Sequence, residues 1–131
     1  MKLYDCDLSK LKITSVVTLV EITRDIILGV KHMHSKHIIH ADLKPQNILY
    51  ESASKKAVIC DFNISIFDHQ KYGTSVLQTP LYRAPEVDLC AVYCKYSNKI
   101  DVYHNIIVAL SNDCYRSIKM INIETSRSRF P

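Results

Sequence analysis

Two carboxylates, an ammonium group and an amide stand close together in polar fragments of this 131-residue sequence. Asp42, Lys44 and Asn47 lie in His40-Ala41-Asp42-Leu43-Lys44-Pro45-Gln46-Asn47, and Asp61 opens Asp61-Phe62-Asn63. Carboxylate and amide oxygens are hard donors that suit a hard divalent cation. A carboxylate is also a proton acceptor, and a lysine presents a point charge to an anion. Two further fragments follow in order, Ala84-Pro85-Glu86 and Asp101-Val102-Tyr103.

The elements that must carry these groups are readable from periodicity and punctuation. Val16, Val17, Val20, Ile26, Ile27, Val30, Met33 and His34 recur at three- and four-residue steps. They predict an amphipathic helix over residues 15–34, with Thr14 and Ser15 as cap candidates. Pro45 and its polar neighbours predict an irregular loop after it. Ile48-Leu49-Tyr50 and Ala57-Val58-Ile59-Cys60, separated by a polar stretch, read as a hairpin with a long loop. That hairpin would return Asp61 beside Asn47. Residues 61–86, punctuated by Gly73, Pro80 and Pro85, read as a long loop of the kind that carries function. Ile100 to Leu110 predicts the start of a buried helix.

Composition bounds the function. The length suits one domain, and 47% hydrophobic with 23% charged residues is a globular balance. Average usage would give roughly nine glycines, but there are two, Gly29 and Gly73. No glycine-rich phosphate loop lies in these residues. The net charge of +4 is mild, and no apolar run approaches the length of a membrane span. The five cysteines are odd in number and scattered, Cys90 and Cys94 included, as expected of reduced thiols in an intracellular protein, cytoplasmic or nuclear. His32, His34, His37 and His40 cluster enough to raise zinc, but no cysteine lies near them. The basic residues Arg116, Lys119, Arg127 and Arg129 read as a solvated end rather than a nucleic-acid contact.

The four fragments, in this order and spacing, resemble the catalytic loop, the DFG element, the APE element and the start of the central helix of the eukaryotic protein kinases. Ten such residues at preset positions would occur by chance about once in 10¹³ sequences on near-uniform usage. Lys44, two residues after Asp42, resembles the serine/threonine branch. The resemblance implies a fold that is mainly α with small β-hairpins, an incomplete C-lobe of the α+β kinase fold lacking the N-lobe. It spans residues 1–110, hinge to central helix, followed by a divergent, poorly ordered basic tail over 111–131.

The same resemblance implies ATP and Mg²⁺ as cofactors and phosphoryl transfer to protein hydroxyls. Asp42 would be the base and Lys44 the contact to the transferred phosphate, with Asn47 and Asp61 on the metal. Leu49 would lie under the adenine, and Asp5 or Asp7 would meet the ribose beyond a hinge at Met1-Lys2-Leu3-Tyr4. His40 and Phe62 would stack, Asp101 would tie down the loop, Thr79 would mark serine/threonine specificity, and Glu86 would be structural.

Departures from the family pattern are as informative. No VAIK-like lysine or partner glutamate is present, so the small lobe is expected upstream or on another polypeptide. Ala41 replaces an arginine, which implies independence from phosphorylation of the activation segment. Asn63 replaces the glycine after Asp61-Phe62, and asparagine tolerates left-handed backbone less freely than glycine. Tyr103, His104 and Ile106 stand where Trp, Ser and Gly are usual, and Glu86 has no identifiable arginine partner. The competing reading is a catalytically inactive kinase-derived binding or decoy module that associates with a complete kinase or its partners. The partner in either case is a protein, a substrate or a kinase, not a membrane or a nucleic acid. A third reading is a remnant without a stable fold.

Overall fold

In chain order the elements are β1 (Cys6–Asp7), α1 (Val16–Ser35), β2 (Ile38–Ile39), a 3-10 turn (Pro45–Asn47), β3 (Ile48–Glu51), β4 (Lys56–Ile59) and β5 (Ile66–Phe67). Residues 99–104 are helical. This is a computed structural model that describes residues 3–68, 84 and 97–104. The segments 111–131, Thr79, Glu86, Cys90 and Cys94 lie outside the described residues, as does most of the loop expected over 61–86.

The helix forms nearly where periodicity places it, but its buried face differs from the expected one. Ile22, Ile26, Val30 and Met33 are buried, whereas Val16, Val17, Val20 and Ile27 face solvent, Val17 at 67% and Val20 at 60% exposure. Apolar residues surround most of α1, so periodicity alone leaves its inner stripe undetermined. The hairpin makes the choice. Gly29 faces β4, where an added Cβ would stand 3.0 Å from Cδ1 of Ile59. Ser15 occupies the N-cap in extended conformation, and its side chain makes no capping hydrogen bond. The helix ends where Lys36 and His37 amides donate to the carbonyls of Met33 and His34 at 2.9 and 3.0 Å. His37 there adopts the left-handed φ of 59° that usually selects glycine after a helix.

The hairpin is longer in strand and shorter in loop than the sequence suggests. Glu51 pairs with Lys56 across β3 and β4, below the pairs Ile48–Ile59, Leu49–Val58 and Tyr50–Ala57. Opposite charges directly across a ladder are favourable, so these two polar residues extend the strands. β1 adds antiparallel to the other edge of β3 in the order β1-β3-β4. The outer edge of β4 is guarded by α1: Asp25 accepts the Ala57 amide at 3.1 Å and lies 3.3 Å from Lys56 Nζ. The stretch after Asp61, expected to be irregular, contains β5, which pairs antiparallel with β2 through Ile38–Phe67 and Ile39–Ile66.

Two apolar clusters result. The first joins the α1 stripe to Leu8, Ile13, Leu43, Ile48, Tyr50 and Ala57. The second holds Ile39, Ala41, Ala84 and Ile100, with Ile66 and Tyr103 packed against it. The loop 40–47 runs between them, with Ala41 in one cluster and Leu43 in the other.

Ile26→Ala should cost about 2–5 kcal/mol by leaving a cavity in the first cluster. Val17→Ala, on the solvent face, should stay within about 0.5 kcal/mol. Urea unfolding of the purified chain checks both, and equal losses would restore the face predicted from periodicity.

Candidate functional site

Asp101 is fully buried and its carboxylate accepts from three sides. Oδ2 receives the His40 amide at 2.9 Å and Oδ1 the Ala41 amide at 3.0 Å. His34 Nε2 of α1 lies 2.9 Å from Oδ2. The first turn of the helix over 99–104 is thereby joined to both α1 and the loop. Ala41 is left-handed there, with φ 67°.

The loop next brings Asp42, Lys44 and Asn47 together. Lys44 Nζ is 2.8 Å from Asp42 Oδ2, and Asn47 Nδ2 donates to the Asp42 carbonyl at 2.9 Å and to its Oδ2 at 3.1 Å. Pro45 opens the 3-10 turn, its fixed φ suiting the first helical position. That turn folds Asn47 back so that its amide reaches the Lys44 carbonyl at 2.9 Å. Carboxylate, ammonium and amide thus share one point.

The hairpin returns the chain to the same place. Cys60 donates its amide to the Asn47 carbonyl at 2.9 Å, which sets Asp61 one residue beyond that contact. The left-handed residue of this fragment is Asp61, with φ 61°, and Asn63 is not left-handed. The glycine-to-asparagine change singled out in the sequence therefore falls on a position with ordinary backbone. Asn63 instead donates its amide to Asp61 Oδ1 at 3.4 Å.

His40 binds both sides of this junction. Its Nδ1 accepts the Asp42 amide at 3.3 Å, and Nε2 lies 2.9 Å from the Cys60 carbonyl. The tautomer with hydrogen on Nε2 satisfies both bonds. Its ring meets Phe62 edge to face, with centroids 5.1 Å apart, a favoured aromatic geometry. Ser65 Oγ donates to the His40 carbonyl at 3.2 Å.

Asp7 and Leu49 face one another in the β1–β3 register. The Asp7 carboxylate accepts the Ser9 amide at 2.9 Å and the Ser9 hydroxyl, and lies 3.2 Å from Lys10 Nζ. The Ser9 hydroxyl bond holds its pKa below the usual aspartate value, with a smaller contribution from Lys10. Asp5, the other ribose candidate, instead accepts the Ser52 amide at 2.6 Å and closes the hairpin turn. Burial raises the Cys60 thiol, and the charges of Asp61 and Asp7 raise it further.

The clustered histidines disperse: His34 turns to Asp101 and His40 to Cys60. Among the described residues no group of three His, Cys, Asp or Glu side chains is placed to hold a metal ion. His34 is the contributor that the sequence offered only within the helical repeat and the histidine cluster, without a partner at Asp101. Its signal was a polar side chain one residue past the buried Met33, on the rim of the inner stripe.

Residues 4–119 match the pattern of the protein kinase domain, and the chain belongs to that family. It is 38% identical over 90 residues to the rat dual specificity tyrosine-phosphorylation-regulated kinase 3, covering 68% of this chain and 15% of that protein. It is 42% identical over 65 residues to rat serine/threonine-protein kinase D2, covering 47% of this chain and 7% of that protein. A Dictyostelium discoideum protein named probable serine/threonine-protein kinase pXi is 41% identical over 73 residues, covering 50% of this chain and 10% of its own length. The chain therefore spans a small part of these relatives. No helix among the described residues is long and apolar enough to cross a membrane.

The raised thiol predicts slow alkylation of Cys60 near neutral pH, with a rate that keeps climbing above the ordinary thiol range. Asp61→Asn removes a negative neighbour and should speed the reaction at pH 8. Iodoacetamide labelling followed by peptide mass spectrometry checks this; an unchanged rate in the variant would separate Cys60 from Asp61.

Proposed function

We propose that this chain is the loop-bearing, C-lobe part of a serine/threonine protein kinase, and that it transfers phosphate from ATP to protein hydroxyls when a nucleotide-covering lobe completes it. The observation that carries the reading is the convergence of Asp42, Lys44 and Asn47, with the Cys60–Asn47 bond one residue before Asp61. The donor set fits the metal: Asn47 spends its Nδ2 on Asp42, which directs its amide oxygen elsewhere, and the Asp61 residue is exposed. Asn47 and Asp61 would hold Mg²⁺, whose chemistry when bound is to neutralise charge on the nucleotide phosphates. Asp42, oriented by Asn47, accepts the proton of the attacking hydroxyl. Lys44 moves its charge from Asp42 toward the transferred group. Leu49 offers an apolar floor for a purine, and Asp7 an acceptor for a sugar hydroxyl.

Serine/threonine preference is supported by Lys44 beside Asp42 and by the printed names of several relatives. The related dual specificity kinase marks the limit of that support. A protein substrate follows from the same kinship, and an intracellular site accords with scattered thiols.

The second reading, a binding module that pairs with another kinase, is favoured by a different observation. Val16, Val17, Val20, Ile27 and Leu28 lie exposed along α1, an apolar surface of the kind that seeks a partner.

Calorimetry of the purified chain with ATP, with and without Mg²⁺, separates the two. The catalytic reading expects Mg²⁺-dependent affinity that Asp61→Asn weakens and Asp42→Asn leaves intact. In a chain joined to a glycine-rich, lysine-bearing lobe, Asp42→Asn should lower turnover about 10²–10⁴-fold. Absence of Mg²⁺-dependent binding in the parent, with stable capture of an intact kinase, would establish the second reading instead.

A further inference from the structure

Another concave surface lies at the end of the hairpin away from the loop 40–47. It is a cleft of about 160 Å³ between α1 and the turn joining β3 to β4, lined by Glu21, Arg24, Asp25, Ser54, Lys55 and Lys56. The ladder separates it from the loop, since Ile48–Ile59 is the pair nearest Asn47 and Glu51–Lys56 the pair nearest the turn. Those pairs are about 10 Å apart at ~3.3 Å per residue.

Its walls are fixed before anything binds. Asp25, whose side chain is 11% exposed, accepts the Ala57 amide and stands beside Lys56 Nζ. Asp5 accepts the Ser52 amide at the start of the turn, and the Ser54 hydroxyl donates to Glu51. Asp25 and Lys56 thus neutralise one another. Arg24 and Lys55 are both exposed, and among the described residues neither charged group has an ion-pair or hydrogen-bond partner. Glu21 offsets one of them, which leaves the cleft with a surplus of one positive charge.

Pockets that enclose a whole small ligand run to roughly 300–1,000 Å³, and one ordered water needs about 10–15 Å³. A cleft between these sizes suits one side-chain headgroup of a larger partner, and arginine grips a carboxylate through paired N–H bonds. Val17, Arg24 and Leu28 share one stripe of α1 by their spacing, and Val17 is 67% and Leu28 49% exposed. At ~1.5 Å per residue Val17 and Leu28 stand about 16 Å apart, with Arg24 between them. An extended chain covers that distance in about five residues.

We propose that this cleft docks an acidic linear peptide of a partner protein. A glutamate or aspartate enters between Arg24 and Lys55, and apolar residues on either side of it, three away in one direction and two in the other, lie on Val17 and Leu28. Charge complementarity selects this occupant over the chain's own basic end, whose Arg116, Lys119, Arg127 and Arg129 would bring like charge to Arg24 and Lys55. The site goes beyond the phosphotransfer reading and does not depend on it.

Fluorescence anisotropy of the 131-residue chain in 0.15 M salt, with labelled Leu-Ser-Ser-Glu-Ser-Leu and Leu-Ser-Glu-Ser-Ser-Leu peptides, tests the proposal. One of the two should bind saturably. Arg24→Glu and Lys55→Glu should each weaken that binding at least about tenfold, because like charges in a contact are strongly unfavourable. Lys31→Glu makes the same charge change at an exposed position of α1 outside the cleft. It lies about 10 Å along the helix from Arg24, beyond the ~8 Å screening length, and should alter affinity less than about twofold. A peptide with lysine in place of the glutamate should bind Arg24→Glu about tenfold better than it binds the parent, a reversal that only a folded variant can show. If Arg24→Glu loses helicity by circular dichroism, Lys55→Glu on the turn decides with the same lysine peptide. No saturable binding to the parent, an equal loss in Lys31→Glu, or no reversal by the lysine peptide would each overturn the proposal. A phosphoserine peptide binding more than about tenfold tighter than its glutamate counterpart would also overturn it, by marking a site for a doubly charged phosphate.

Discussion

A carboxylate sealed from water is tolerable only where hydrogen-bond donors replace the solvent it has lost, since an uncompensated buried charge costs several kcal/mol. Asp101 meets that condition with donors from separate parts of the chain: two loop amides and an imidazole from α1. Its burial therefore forces the helix over 99–104, the end of α1 and the start of the loop to meet at one point. The rest of the site inherits its position from this knot, because Asp42 follows immediately after the residue that Asp101 holds.

Asn47 extends the order outward. Its side chain binds Asp42, its amide closes the 3-10 turn and its carbonyl receives Cys60. One residue thus links the loop to the return strand of the hairpin, and the spacing of Asp42 from Asp61 becomes a property of the hairpin rather than of a flexible connection. Such preorganisation is what phosphoryl transfer asks of a protein, which contributes chiefly position and charge. The same features would persist in a protein that only binds, since each of these bonds stabilises the fold whether or not a phosphate moves.

Kinship with the protein kinases accounts for the order of the fragments, and this chain modifies the theme at Ala41. Where an arginine would reach outward, a methyl group turns inward against Ile39, Ala84 and Ile100. The loop is consequently braced by apolar packing on one side and by Asp101 on the other.

Local chemistry made much of this legible without coordinates. The helix, the hairpin and the polar loop follow from periodicity and proline placement, which act over a few neighbours in sequence, while Asp42, Lys44, Asn47 and Asp61 were singled out by the resemblance of their fragments to the kinase pattern. Other features depend on contacts between distant segments. The inner face of α1 was ambiguous because apolar residues surround most of it, until Gly29 admitted Ile59. β5 was invisible because a two-residue strand has no period to read and exists only by pairing with β2. The left-handed backbone falls on Asp61 rather than Asn63, and no local residue preference announces that position. His34 became a partner of Asp101 only when residues 67 apart in sequence were brought to 2.9 Å. Sequence determined which groups are available for chemistry; tertiary structure decided which of them touch, because burial and long-range hydrogen bonding are set by the whole chain at once.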